Sequence, residues 1–149
     1  MRRSRLWLRP LGSASAQPLA RTEDASFPFW SPDSHSIGFF SQDKIKTIDI
    51  GSGTVQAITA AAIPRGATWS GDGTILFGTP AGPIFGVSAS GGMAIPVTKL
   101  KRPEEAFHGF PYFLPDGHRF LFSALLVNGG MFRLYAASLD GGERVPTCF

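Results

Sequence analysis

The 149-residue chain holds one cysteine, Cys148, next to its last residue. A single thiol cannot form an intrachain disulfide, so no cross-linked framework is available and the redox compartment stays open. Long apolar runs are missing too. The longest, Phe120-Leu-Phe-Ser-Ala-Leu-Leu-Val127, is strand-sized and far below the ~18 residues of a membrane span. The opening Met-Arg-Arg-Ser-Arg-Leu-Trp-Leu-Arg-Pro imitates a secretory leader, but only three apolar residues precede Arg9 and Pro10. A leader needs an apolar region of about 7–15 residues, so neither a signal nor membrane contact is expected of this chain.

Charge of one sign is scarce once its position is considered. The formal net charge is +3, yet Arg2, Arg3, Arg5 and Arg9 crowd the start. Beyond residue 9 the chain has 10 basic and 11 acidic residues. That distribution describes a basic tip without a basic face, and it excludes nucleic acid as an expected partner.

Catalytic signatures are absent. Gly86-Val-Ser-Ala-Ser90 fails as a nucleophile elbow at its last position. There is no phosphate-binding loop ending in Gly-Lys, no His-Glu-x-x-His, no Cys-x-x-Cys and no kinase signature. His35 and His118 each follow an aspartate by two residues and read as exposed turn residues, not metal ligands. Glu104 and Glu105 are adjacent in an expected loop and read as a solvated pair. The expectation is a non-enzymatic chain with no cofactor and no metal.

What the chain has in quantity is glycine (18), proline (12) and phenylalanine (13). Glycine and proline interrupt regular elements, while flat aromatic rings pack well on strands, so many short strands with tight turns are expected. Self-comparison sharpens this. Phe27-Pro-Phe-Trp-Ser-Pro-Asp-Ser-His-Ser-Ile-Gly-Phe-Phe40 resembles Gly66-Ala-Thr-Trp-Ser-Gly-Asp-Gly-Thr-Ile-Leu-Phe77 and Phe110-Pro-Tyr-Phe-Leu-Pro-Asp-Gly-His-Arg-Phe-Leu-Phe122. The aspartates Asp33, Asp72 and Asp116 stand 39 and then 44 residues apart. A period of ~40–45 is the length of a four-stranded propeller blade.

Later parts of each unit agree. Lys44-Ile-Lys-Thr-Ile-Asp-Ile50 alternates as a half-buried strand does, with counterparts at Pro83–Ala89 and Phe132–Leu139. Glycine-rich corners follow each, and short closing strands follow those. Leu6–Leu11 and Ala16–Leu19 read as the third and fourth strands of a unit lacking its first half. The expected fold is all-β: a partial β-propeller of about three and a half four-stranded blades. Residues 1–25 form the second half of a preceding blade, with blades at 26–62, 63–101 and 102–149. Only Arg102–Phe107 could hold a turn of helix.

Ser31-Pro-Asp-Ser34, Ser70-Gly-Asp-Gly73 and Leu114-Pro-Asp-Gly117 have the residues of type I turns, in which proline presets φ and aspartate accepts from nearby amides. Asp33, Asp72 and Asp116 are therefore expected to be structural. The aromatics before them, Trp30, Trp69 and Phe113, are expected to wedge between neighbouring blades. Arg65 and His108 precede first strands, where a propeller opens onto its channel, and are the candidate ligand-binding residues at that mouth.

The repeat core, Phe/Trp-Ser-Pro-Asp-Gly/Ser followed by an apolar strand, resembles the WD40-like repeats of TolB-type propellers. Leu6-Trp-Leu-Arg-Pro-Leu11 with Ala16-Gln-Pro-Leu19 and Phe27-Pro-Phe-Trp-Ser-Pro-Asp-Ser34 is similar to the C-terminal region of bacterial eukaryotic-like serine/threonine protein kinases. That resemblance implies a binding or sensing module, periplasmic or extracellular, whose partner is a protein, a peptide or the missing blades of its own parent. Prolyl-oligopeptidase-like serine peptidases and free-standing TolB-like scaffolds carry similar repeats and remain alternatives.

Overall fold

The computed structural model describes residues 4–147, so Cys148 lies outside the described residues. Two short strands, β1 (Trp7–Leu8) and β2 (Gln17–Pro18), form an antiparallel pair. Three four-stranded antiparallel sheets follow, each with its strands in chain order. Blade 1 comprises β3 (Ser26–Trp30), β4 (Ser36–Ser41), β5 (Lys44–Asp49) and β6 (Val55–Ala60). Blade 2 comprises β7 (Ala67–Trp69), β8 (Thr74–Gly78), β9 (Ile84–Ser88) and β10 (Ile95–Pro96). Blade 3 comprises β11 (Glu105–Phe113), β12 (Arg119–Leu126), β13 (Phe132–Ser138) and β14 (Val145–Pro146). The all-β expectation of three blades and a half holds. The helical turn considered at 102–107 does not form: residues 102–104 make a simple turn and Glu105 already opens β11.

Register identifies the half-blade. Trp7 lies opposite Pro18, Phe85 opposite Pro96, and Tyr135 opposite Pro146. An aromatic on the third strand thus faces a proline on an edge strand, where a missing N–H costs no ladder bond. β1 and β2 are therefore the third and fourth strands of a unit.

The sheets stack face to face through three apolar clusters, because a strand's period of two sends alternate residues to opposite sheet faces. Leu6, Leu8 and Leu19 of the half-blade region pack on Ile37, Phe39 and Ile48 of blade 1. Phe40 and Ile45 of blade 1 meet Ile75, Phe77 and Val87 of blade 2. Leu76 and Ile84 of blade 2 meet Phe113, Phe120, Phe122 and Tyr135 of blade 3. β4 and β8 are buried on both faces, whereas β12 alternates between buried and half-buried residues. Among the described residues, blade 3 is covered only on the side facing blade 2.

Close approach of the inner strands depends on glycine. A Cβ on Gly78 would stand 2.8 Å from the Gly109 Cα and 2.9 Å from the Arg65 carbonyl oxygen. No other residue lets β8 pass so near β11.

Candidate functional site at the inner-strand mouth

The three aspartates serve their own turns. Asp33 Oδ1 accepts from the Ser31 hydroxyl at 2.6 Å and the His35 amide at 3.0 Å. Asp72 repeats this with the Ser70 hydroxyl and the Thr74 amide. The third copy has Leu114 in place of serine, and Asp116 instead takes the amides of His118 and Arg119 plus the Arg119 guanidinium. The Ser31 hydroxyl holds Asp33 below its ordinary value, and the Ser70 hydroxyl does so for Asp72. The Arg119 amide and side chain bring Asp116 down to about 2. His35 and His118 sit on these same turns.

Of the motif aromatics, Trp69 and Phe113 wedge between sheets. Trp69 packs against Phe29 of blade 1 with ring centroids 6.4 Å apart, and Phe113 joins the cluster between blades 2 and 3. Trp30 departs from the expectation. It is 50% exposed, because the half-blade offers no inner strands for it to wedge against. A concavity of about 680 Å³ spans the ends of the inner strands, lined by Trp30, Trp69, Tyr112 and Phe113 with Pro32 and Pro115 of the turns.

At the other end of the inner strands a second repeat emerges. Three residues before each motif aromatic, Phe27, Gly66 and Phe110 all have positive φ, at 46°, 80° and 55°. The strand register slips at Phe27 and Phe110. Glycine adopts this backbone freely, but a bulky side chain there is a strained outlier of order 1–3 kcal/mol. Both phenylalanines are exposed. The Phe110 amide donates to the Arg65 carbonyl at 2.6 Å, tying the mouth of blade 3 to that of blade 2.

Arg65 is half-buried at this junction. Its guanidinium lies 5.5 Å from the centre of the Phe107 ring and donates to the Pro64 carbonyl at 3.3 Å. Phe132 sets its ring 6.1 Å from both Phe107 and Phe110. Among the described residues no carboxylate comes within 4.0 Å of Arg65. Among the described residues the mouth therefore presents a cation without a counter-ion beside the Phe107 ring, a combination suited to a carboxylate with an apolar neighbour.

His108 is not at the surface. It lies inside β11 and is fully buried, because the strand already begins at Glu105 where the sequence had His108 preceding it. Glu105, expected to be solvated, is 2% exposed. Arg144, from the turn between β13 and β14, grips Glu105 with two bonds of 2.7 and 3.0 Å and stacks 4.3 Å over Tyr135. The Lys101 amide donates to Glu105 at 2.8 Å, and His108 Nε2 lies 3.0 Å from the same oxygen. On its other side His108 Nδ1 meets the Thr98 hydroxyl at 2.8 Å, and that hydroxyl accepts from the Ile84 amide.

This inventory fixes the proton positions. A carboxylate only accepts, so Nε2 carries the imidazole hydrogen and Nδ1 accepts from Thr98. Arg144 Nη1, 3.1 Å from Nε2, is then a neighbour of the ring and not its donor. Every buried polar side-chain atom of the cluster has a hydrogen-bond partner. The cluster clamps three segments: the connection from blade 2, the inner strand of blade 3 and its outermost turn. A groove of about 1130 Å³ between the outer parts of blades 2 and 3 lies over it, bordered by Lys99, Lys101, Glu143 and Arg144.

The clamp predicts acid sensitivity. Burial pushes His108 below 6.5, against the opposing pull of Glu105. Burial alone would raise Glu105, but bonds from Arg144, Lys101 and His108 outweigh it and hold the carboxyl below 4.5. Both folded-state values are depressed, so the unfolded chain binds more protons and stability falls as pH falls. The His108 contribution starts to disappear below pH 6.5 and the Glu105 contribution below pH 4.5. Urea unfolding at pH 7.5, 6.0 and 5.0 should show a decline in the native protein that His108→Gln flattens between pH 7.5 and 5.0. Equal slopes in the two proteins would refute the assignment.

A putative TolB from Agrobacterium tumefaciens superposes on this chain with a TM-score of 0.79 at 20% identity, covering 95% of this chain and 55% of that one. The fold is that of a TolB-type β-propeller. The propeller domain of the Trilobed protease from Pyrococcus furiosus, described as having an open velcro topology, matches at a TM-score of 0.62 and 13% identity, over 98% and 49% of the two chains. An acylaminoacyl peptidase from Pyrococcus horikoshii matches at 0.60 and 17%, over 90% and 26%. The chain thus spans about half the length of the first two propellers. No family model matches the sequence, and no curated protein does.

Within this propeller, Arg65 stands at the mouth and His108 below it, in the wall between blades. Sequence reasoning missed Glu105, Thr98 and Arg144 as partners of His108. The only local signal was the spacing Glu105-x-x-His108 beside a buried phenylalanine.

Proposed function

We propose that this chain is a non-catalytic binding or sensing module, a set of propeller blades from a longer protein, that takes a protein or peptide partner at the Arg65 mouth. The carrying observation is the half-buried Arg65, which has no carboxylate partner among the described residues and lies over the Phe107 ring, itself packed on Phe132 and through it on Phe110. Closure of the Glu105–His108–Arg144 cluster on itself supports a role without catalysis. No cofactor and no nucleic acid enter this reading.

The test uses short peptides ending in phenylalanine with a free carboxylate, and the same peptides amidated, followed by calorimetry. The carboxylate forms should bind more tightly. Arg65→Gln should remove that preference, a loss of about 1.5–3 kcal/mol for a bond to a charged group, or roughly ten- to hundredfold in Kd. Equal affinity for both forms in the native chain would sink the reading.

The repeat segments around Leu6–Leu11 and Phe27–Ser34 support a receptor-type serine/threonine kinase as the parent. Peptidase propellers among the structural matches favour a second reading, the propeller portion of a serine peptidase. The flanking reading frame separates them: kinase motifs upstream support the first, and a Gly-x-Ser-x-Gly domain downstream supports the second.

A further inference from the structure

We propose that Glu105, His108 and Arg144 form an acid-released latch on the groove between blades 2 and 3. When His108 gains a proton, Arg144 leaves Glu105 and the β13–β14 turn swings away from blade 2. The proposal is independent of the reading given to Arg65. All eight strands of the two blades that make this seam lie among the described residues.

The carboxylate has no spare capacity. Glu105 Oε2 takes the Lys101 amide at 2.8 Å, His108 Nε2 at 3.0 Å and Arg144 Nη1 at 3.0 Å, while Oε1 takes Arg144 Nη2 at 2.7 Å. With a neutral imidazole, one anion balances one cation. A second ring proton puts two cations on that anion, at a site where Glu105 is 2% exposed and His108 fully buried. An unbalanced charge buried in this way is costly. The two cations also stand close together, because Arg144 Nη1 is 3.1 Å from His108 Nε2.

The far side of the ring adds to that cost. His108 Nδ1 accepts from the Thr98 hydroxyl, whose oxygen accepts from the Ile84 amide. A hydrogen on Nδ1 must be taken by the same oxygen, which turns the Thr98 hydrogen out of its bond. Glu105 and Arg144 are the charged groups that face the imidazole. The rings of Phe122 and Tyr135 complete its surroundings without charge. Lys99, Lys101, Arg102, Glu104 and Glu143 border the groove and are exposed.

Of the three members, Arg144 is the one able to leave. Glu105 and His108 are fixed within β11, in register with Leu126 and Ala124. Arg144 sits on a turn and lines the groove, and its side chain is 12% exposed. Just before it, Gly141 and Gly142 have φ of 89° and 109°, a backbone that glycine enters and leaves easily, and they supply the hinge. The strand after it, β14, has two residues, one of them proline. Once the guanidinium moves into the groove it is hydrated, and Glu105 with protonated His108 remains as a neutral pair. Burial holds His108 below 6.5, so the latch is shut at neutral pH and opens in acid.

The test uses the full chain with Cys148→Ser and spin labels at Lys99→Cys, on the connection between the blades, and Glu143→Cys, on the β13–β14 turn. The distance between labels should lengthen and broaden from pH 7.5 to pH 5.0 while the circular dichroism of the sheets is kept. In His108→Gln the pH 7.5 distance should persist at pH 5.0. In Arg144→Met the NMR titration midpoint of His108 should rise, because the imidazolium no longer shares Glu105 with a second cation. An unchanged distance in acid, the same lengthening in His108→Gln, or an unmoved midpoint in Arg144→Met would overturn the proposal. So would loss of the sheet signal at pH 5.0, which would make the opening global.

Discussion

Glu105→Ala is expected to lower the unfolding free energy by about 3–5 kcal/mol, the cost of breaking a buried ion pair from one side. The reason lies in what remains. Arg144 keeps its charge at a site where its side chain is 12% exposed, and it loses both bonds to Glu105. His108 loses the acceptor for its Nε2 hydrogen, and the Lys101 amide loses its own acceptor. Total stability of a domain is about 5–15 kcal/mol, so one substitution consumes a large share. The paired replacement Glu105→Leu with Arg144→Met should recover most of the loss, because removing both charges leaves neither stranded. Urea midpoints of the native, single and double variants measure this. A loss under about 1 kcal/mol in the single variant would show that the ion pair behaves as a surface pair.

The second large effect is expected at Phe122. Its ring is fully buried between blades 2 and 3, stacked 5.6 Å from Tyr135, 6.0 Å from Phe120 and 4.6 Å from the His108 imidazole. Phe122→Ala removes that area and leaves a cavity whose walls are fixed by two sheets, a cost of about 3–5 kcal/mol. The ring also screens His108 from water, so the variant should shift His108 back toward its ordinary value as the cavity hydrates. Proton NMR titration of the imidazole alongside urea unfolding tests both parts. Retention of near-native stability would mean that the two sheets close on the gap.

The contrast between these two sites explains what the sequence could reveal. Phe122 was legible: it lies in the apolar segment that follows its aspartate turn, as Phe40 and Phe77 do in the other two units, and periodicity reports a buried face directly. The aspartate turns were legible for a related reason, since each turn is built from residues within five positions of one another. Glu105 was not legible. Its partner Arg144 lies 39 residues away, and without that guanidinium a glutamate beside another glutamate reads as solvated. His108 was misplaced because β11 runs nine residues, against five in β3 and three in β7. Trp30 obeyed the pattern locally and failed globally, since wedging requires a neighbour that sequence spacing cannot supply. Arg65 was named from position alone, while the Phe107 ring beneath its guanidinium came from the fold.

The stacking order has a thermodynamic consequence. The half-blade touches blade 1, blade 1 touches blade 2 and blade 2 touches blade 3, with a core at each of those three seams. Cooperativity in such an array is a nearest-neighbour property, in which each sheet borrows order from those beside it. Among the described residues blades 1 and 2 each have two such neighbours and blade 3 has one, so local opening is expected at blade 3 before blades 1 and 2.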